Sequence, residues 1–258
     1  MQKEIKNPWK EFKEFPFYFE EDKKIIDEFN LKLTNHPHFI HSDLMPEPYM
    51  GNPKANVVLL FANPGYGKNE RTDYEIPGFK KAIENNLTHS NKKYPYYYLN
   101  PDFVHISSNG ESKYTDGGKW VRQRMREIIE EVGEEALSQK IFTIQLHPYH
   151  SARFKPLKES FEGYEYTMSL FGNAIERAEK GNALIVCARS YKYWNEEYKK
   201  LKKNKDADLK KDLGKNFIKM LYPRTTYFTS KHFGEGEEGE KFFKKLMEYI
   251  KKPLQSFS

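Results

Sequence analysis

Four short apolar runs stand out along an otherwise polar chain. They are Asn56–Ala62 (with Val57-Val58-Leu59-Leu60-Phe61 at its centre), Lys140–Leu146, Ala183–Ala188 and Thr225–Thr229. Each is rich in β-branched or aromatic residues and is separated from the next by helix-like sequence. Runs of this length without polar alternation read as strands covered on both faces, as in a parallel sheet. The fourth is the weakest, with threonine at three of its five positions.

Helical periodicity fills the gaps. Gly118–Gly133 spaces Trp120, Val121, Met125, Ile128, Ile129 and Val132 on one face, with Gly133 as a stop. Tyr164–Lys180 does the same with Met168, Leu170, Phe171, Ala174, Ile175 and Ala178, and Gly236–Lys251 with Phe242, Phe243, Leu246, Met247 and Ile250. Alternating strands and helices predict an α/β fold: a three-layer sandwich around a short four-stranded parallel sheet with right-handed crossovers. The chain up to about His41 also reads as helical. No repeat and no linker divides the sequence. The expected organisation is one domain over 1–258, with an N-terminal helical extension at 1–45 and an insertion at about 67–118.

Composition removes several alternatives. At 258 residues the chain suits one large domain. Aromatic residues make up 16% of it, and each buries so much surface that a hydrophobic share of 38% does not imply disorder. A single cysteine, Cys187, rules out an internal disulfide, a four-cysteine iron–sulfur site and a cysteine-rich zinc site. Lying within an apolar run, it reads as a core residue rather than a nucleophile. His36, His38 and His41 cluster, but without a carboxylate at ligand spacing they predict no metal, and no cofactor is expected. The charged opening Met1-Gln-Lys-Glu-Ile-Lys6 and the lack of a long apolar stretch predict a cytoplasmic protein without membrane contact.

The net charge of +6 is local. Arg189–Leu221 holds eleven basic and five acidic residues, and the rest of the chain balances. Such a stretch is either a footprint for phosphate backbones or a solvated helical face whose lysines pair nearby.

Ligands of open parallel sheets bind beyond the carboxyl ends of the strands, so the residues after each run are the candidates. These are Asn63-Pro64-Gly65-Tyr66-Gly67, then His147-Pro-Tyr-His150-Ser151 with Ala152-Arg153, then Arg189-Ser190, and last Ser230-Lys231-His232-Phe-Gly234. No Gly-x-Gly-x-x-Gly and no phosphate-loop lysine motif follows the first run, which excludes dinucleotide-dehydrogenase and P-loop readings. The Pro64-Gly65 pair also fits a plain tight turn.

Taken in order, these loops resemble the uracil-DNA glycosylase superfamily. Phe61-Ala-Asn63-Pro64-Gly65 is similar to the Asn-Pro-Gly turn of its mismatch-specific members. Ser230-Lys231-His232-Phe-Gly falls where the family carries its closing motif ahead of a terminal helix. The resemblance implies a divergent member of that fold. It also implies hydrolysis of the N-glycosidic bond of a flipped base in DNA or a nucleotide. Asn63 would position the attacking water and His232 would stabilise the leaving base, making these two the catalytic candidates. Pro64 and Gly65 would bring the backbone close to the ligand. Tyr66, or one of Tyr96, Tyr97 and Tyr98, would supply a stacking surface. Gln145, His147 and His150 would line the base, and Ser230 and Lys231 would grip a phosphate.

The closing loop lacks the family's Pro-Ser and is acidic, with Glu235, Glu237, Glu238 and Glu240 beside Lys231. Carboxylates there repel a duplex backbone, so the expected partner is a nucleotide or a single-stranded or modified nucleic acid. Two further readings fit the same residues: a non-catalytic nucleic-acid or nucleotide binding module on this fold, and a small-molecule hydrolase of another kind.

Overall fold

The computed structural model describes residues 5–12, 15–31, 33, 36–67, 69–108, 110–157, 159–222 and 226–254. Its strands are β1 (Tyr49–Gly51), β2 (Val57–Phe61), β3 (Val104–Ile106), β4 (Ser112–Tyr114), β5 (Ile141–Gln145), β6 (Leu184–Cys187) and β7 (Phe217–Lys219). The helices of the first half are α1 (Glu20–Asn30), α2 (Glu70–Asp73), α3 (Phe79–Leu87), α4 (Asp116–Arg124), α5 (Arg126–Val132) and α6 (Glu134–Lys140). Those of the second half are α7 (Tyr164–Glu179), α8 (Tyr191–Lys202), α9 (Leu209–Leu213), α10 (Ser230–Phe233) and α11 (Gly236–Lys251).

Every residue of β2, β5 and β6 is buried, so both faces of the central sheet are covered. The strand order is β1-β5-β2-β6-β7. Four neighbours run parallel, with Leu59 opposite Thr143 on one side and Val186 on the other. β1 adds an antiparallel edge through the pair Met50–Thr143. The fold is therefore α/β with a mostly parallel sheet of five strands.

Two expectations change. The fourth parallel strand is Phe217–Lys219, not 225–229. Thr225 lies outside the described residues, and Thr226–Thr229 forms no strand. Two apolar residues suffice at β7 because Phe217 and Ile218 are both buried against β6, while lysines flank them and hide the signal in sequence. The helix expected over Gly118–Gly133 starts two residues earlier, where the Thr115 side chain accepts from Gly118 N, and it divides at Met125 (φ −113°, ψ 21°) into α4 and α5.

Connections place the ligand-sized opening. From β2 the chain passes to β5 on one side, and β5 then reaches β6 on the other through α7, which packs against both. Loops leaving β2, β5 and β6 therefore diverge at their carboxyl ends, the arrangement that opens a crevice. The described part of the insertion carries α2, α3 and the antiparallel pair β3–β4, and it lends Glu70, Tyr96, Tyr98 and Asp116 to the opening. The N-terminal extension ties down its rim. Tyr149 donates to the buried Asp22 of α1 at 2.5 Å, and His41 N donates to His150 O at 2.9 Å. Among the described residues no helix is long and apolar enough to cross a membrane.

Candidate functional site

The crevice encloses about 1000 Å³ at the carboxyl ends of β2, β5 and β6. Phe61 through Gly67 supply its floor from β2, Gln145 and His150–Phe154 enter from β5, and Arg189 and Ser190 from β6. Its aromatic lining is Phe61, Tyr66, Tyr96, Tyr98, Trp120 and Phe154.

Asn63 is held by local geometry. Its Nδ2 lies 2.7 Å from Pro64 O, 2.8 Å from Ser151 O and 2.9 Å from Ser151 Oγ. Two of these neighbours are carbonyls, which accept only, so the amide nitrogen must face them and Oδ1 is left to face elsewhere. The Asn63–Ser151 contacts link the loops after β2 and β5, and Ser151 Oγ in turn donates to Arg153 O at 3.2 Å.

Gln145 closes β5 and is only 9% exposed, yet its Oε1 is buried with no hydrogen-bond partner. A buried amide oxygen without a donor costs about 1–3 kcal/mol. Native proteins keep few of these, and one that lines a crevice is open to a donor from a water or a ligand.

Beside Gln145, charge is concentrated around His150. Its Nδ1 sits 2.7 Å from Gly65 O and its Nε2 3.0 Å from Met45 O. Two carbonyl acceptors require two N–H donors, so the ring is an imidazolium. Burial opposes that charge, but the carboxylates of Glu70 and Glu47 outweigh it and push the pKa up to about 9. Glu70 Oε2 approaches Nδ1 to 3.3 Å off the hydrogen-bond direction, which Gly65 O occupies, so its attraction is Coulombic. Glu47 Oε1 stands 4.0 Å from Nε2 and accepts from Tyr97 at 2.6 Å and Tyr98 at 2.8 Å. Burial raises the Glu47 carboxyl against the pull of His150 and both hydroxyls.

Asp116 is the third carboxylate of the lining, at the first turn of α4, with Asn69 Nδ2 at 3.4 Å. It has no cationic partner among the described residues. Both neighbouring glycines are needed for fit. A Cβ at Gly67 would meet Asp116 Oδ2 at 2.7 Å, and one at Gly117 would meet the Tyr98 ring at 2.3 Å.

The expected site residues fall into two groups. Asn63, Pro64, Gly65, Tyr66, Gln145 and His150 come together along the crevice. Tyr66 stacks on His41 with ring centroids 3.4 Å apart. His147 does not line it: its ring packs between Phe154 and Phe161 at 4.8 and 5.4 Å, and burial holds it down to about 4, neutral at physiological pH. Ser230, Lys231 and His232 form α10 away from the lining. His232 Nδ1 pairs with Thr229 Oγ1 at 2.9 Å between the Tyr222 and Tyr227 rings.

Glu47, Glu70, Asp116 and Trp120 were not singled out from sequence. Glu47 left one trace, as the lone charged residue of Leu44-Met-Pro-Glu47-Pro-Tyr-Met50. Among the described residues no three acidic, histidine or cysteine side chains are placed to hold a metal ion. Cys187 is buried in β6, where burial pushes its thiol up to about 12.

Set against known proteins, the chain matches no family model, no curated protein and no solved structure. What the crevice does must be read from its own groups. An amide acceptor without a donor, an oriented asparagine oxygen and flat aromatic walls suit a planar ligand with hydrogen-bonding edges.

Proposed function

We propose that this chain is a divergent hydrolase with a uracil-DNA glycosylase-like, three-layer α/β fold, whose crevice takes a nucleobase and cleaves its N-glycosidic bond. Gln145 carries the reading. An aliphatic ligand would leave its amide unpaired, whereas the edge of a nucleobase offers both donors and acceptors in the plane of the rings beside it.

In this reading Asn63 Oδ1 accepts from a water and aims its oxygen at the sugar C1′. As that oxygen bonds to C1′, the C1′–N bond breaks through an oxocarbenium-like transition state and its electron pair leaves with the base. The proton lost by the water passes to Asp116, the lining carboxylate not already held by His150. The departing base takes its proton from solvent. The ligand is a nucleotide or an unpaired or modified strand, because the acidic start of α11 disfavours a duplex backbone.

Base release from oligonucleotides carrying uracil, mismatched thymine or modified bases, single-stranded and duplex, tests this. Release is expected from at least one, falling about a hundredfold or more in Asn63→Ala. No release from any of them, with Asn63→Ala indistinguishable from wild type, rejects it.

A second reading, binding without cleavage, is favoured by one observation: Ser230, Lys231 and His232 stand outside the crevice lining, so that loop brings no charge-stabilising group to the base. Tight nucleobase binding without release would select it.

A further inference from the structure

Several arginines among the described residues have strong partners. Arg122 grips Glu134 with two nitrogens at 2.6 and 3.0 Å, and Arg177 donates to the carbonyls of Pro53, Lys54 and Ala55. Arg124 and Arg189, like Arg177 and the exposed Arg153, have no carboxylate within ion-pair distance among the described residues, but they are half-buried without the set of carbonyls that holds Arg177.

Arg189 follows β6, is half-buried and lines the crevice. Among the described residues its one side-chain hydrogen bond runs from Nε to Thr226 Oγ1 at 3.3 Å. Arg124 ends α4, with its guanidinium 4.1 Å over the Tyr227 ring and 5.6 Å from that of Trp120, itself a lining residue. Its Nε is buried and has no hydrogen-bond partner among the described residues. Both arginines therefore contact the Thr226–Tyr227 segment after β7, Arg189 from the crevice lining and Arg124 from behind the lining residue Trp120, close enough for their charges to repel. Burial, and then the charge of Arg124, lower the pKa of Arg189.

Two neighbouring, half-buried cations with unused donors raise the energy of the unliganded protein, and an anion between them removes both penalties. Guanidinium forks match the oxygens of phosphate better than any other common anion, and aromatic faces beneath them limit competition from water. The lysines of α8 do not compete for this role. Lys199, Lys200 and Lys202 pair with Glu196, Glu197 and Glu179 at 3.1, 2.9 and 2.5 Å.

We propose that Arg124 and Arg189 form a phosphate subsite of the crevice, taking the phosphate ester of a nucleotide whose base lies beside Gln145. The identity of the ligand rests on the nucleobase reading above; the anion subsite rests on the two arginines. The phosphate belongs either to a free nucleotide or to a strand.

Calorimetric titration distinguishes these cases, using the four 2′-deoxynucleosides and deoxyuridine, their 5′-monophosphates, inorganic phosphate and a single-stranded oligothymidylate. At least one monophosphate is expected to bind about tenfold or more tightly than its nucleoside. That ratio collapses toward one in Arg124→Gln and in Arg189→Gln. It persists in Arg126→Gln, an exposed neighbour whose partner is Glu130. Arg124→Lys, which keeps charge without the fork, gives an intermediate ratio, and thermal unfolding of each variant verifies the fold.

Tighter binding of the oligonucleotide than of any monophosphate assigns the phosphate to a strand; the reverse assigns it to a free nucleotide. Arginine-dependent binding of inorganic phosphate without binding of any nucleoside keeps the subsite and overturns the nucleobase reading. Equal binding of nucleoside and monophosphate, or a ratio that survives both glutamine substitutions, overturns the subsite. Binding of none of these probes overturns both.

Discussion

β2 divides the crevice into two differently charged regions. Toward the β1 edge, Glu47 and Glu70 close on the His150 ring within 4.0 Å, and two tyrosine hydroxyls donate to Glu47 Oε1. Toward the β7 edge, Arg124 and Arg189 meet a threonine hydroxyl and two aromatic faces but no carboxylate among the described residues. In the first cluster the one cation is fully paired, by two carboxylates and two carbonyls, so these contacts hold loops in place. The second is left uncompensated and gains from an anion. Net charge does not separate these roles; pairing does.

The sharpest way to break the contrast is to remove the buried cation of the first cluster. His150→Ala leaves Glu47 and Glu70 without their counter-charge and frees Gly65 O and Met45 O, which is expected to cost about 3–5 kcal/mol of stability. Urea unfolding reads it, and a loss below about 1 kcal/mol would show that the cluster is not the brace described here. Removing both carboxylates as well, by Glu47→Gln and Glu70→Gln, should recover part of the loss.

Alkali should do the same reversibly. The His150 pKa is raised, to about 9, above its ordinary value of about 6.5. Its contribution is therefore fully present below about pH 6.5 and lost as pH rises through about 9, a fall on the order of 3 kcal/mol. Unfolding midpoints across that range check this. The slope should vanish in His150→Gln.

Between the two clusters, Gln145→Leu separates binding from folding. Nucleobase affinity should fall about tenfold or more, while stability holds or rises by up to about 1 kcal/mol because an unpaired buried amide is gone. Titration and thermal unfolding on the same sample decide it; a large loss of stability would make Gln145 a structural residue.

The smallest effect belongs to the lysines of α8. Replacing Lys199, Lys200 and Lys202 with glutamine should cost under about 0.5 kcal/mol per pair, because such pairs are exposed. Monophosphate affinity should change less than about twofold, in contrast to the arginine variants.

The pattern of what the sequence reveals follows the same physics. β2, β5 and β6 are legible because complete burial leaves unbroken apolar runs, and α7 and α11 because each buries one face. β1 and β7 are three residues long and sit among prolines or lysines, so pairing with a neighbour makes them strands where local pattern cannot. In the crevice, Asn63 and Gln145 are legible as strand-end residues. The acidic cluster is not. Glu47, Glu70 and His150 lie on separate segments, and their chemistry exists once the insertion and the Pro-rich entry to β1 fold against the loop after β5. His232 illustrates the converse: a correct place in the order of the chain did not bring its side chain to the crevice lining.

The contact between Gly117 and Tyr98 bears on descent. A methyl group at position 117 would force the ring at position 98 to shift, and that ring brings Glu47 one of its two hydroxyl donors. A lineage that acquires alanine at 117 must move or replace the ring at 98 and so disturb its bond to Glu47. Among relatives of this chain the two positions should covary as one heritable unit, and any branch that breaks it should carry a rebuilt acidic cluster.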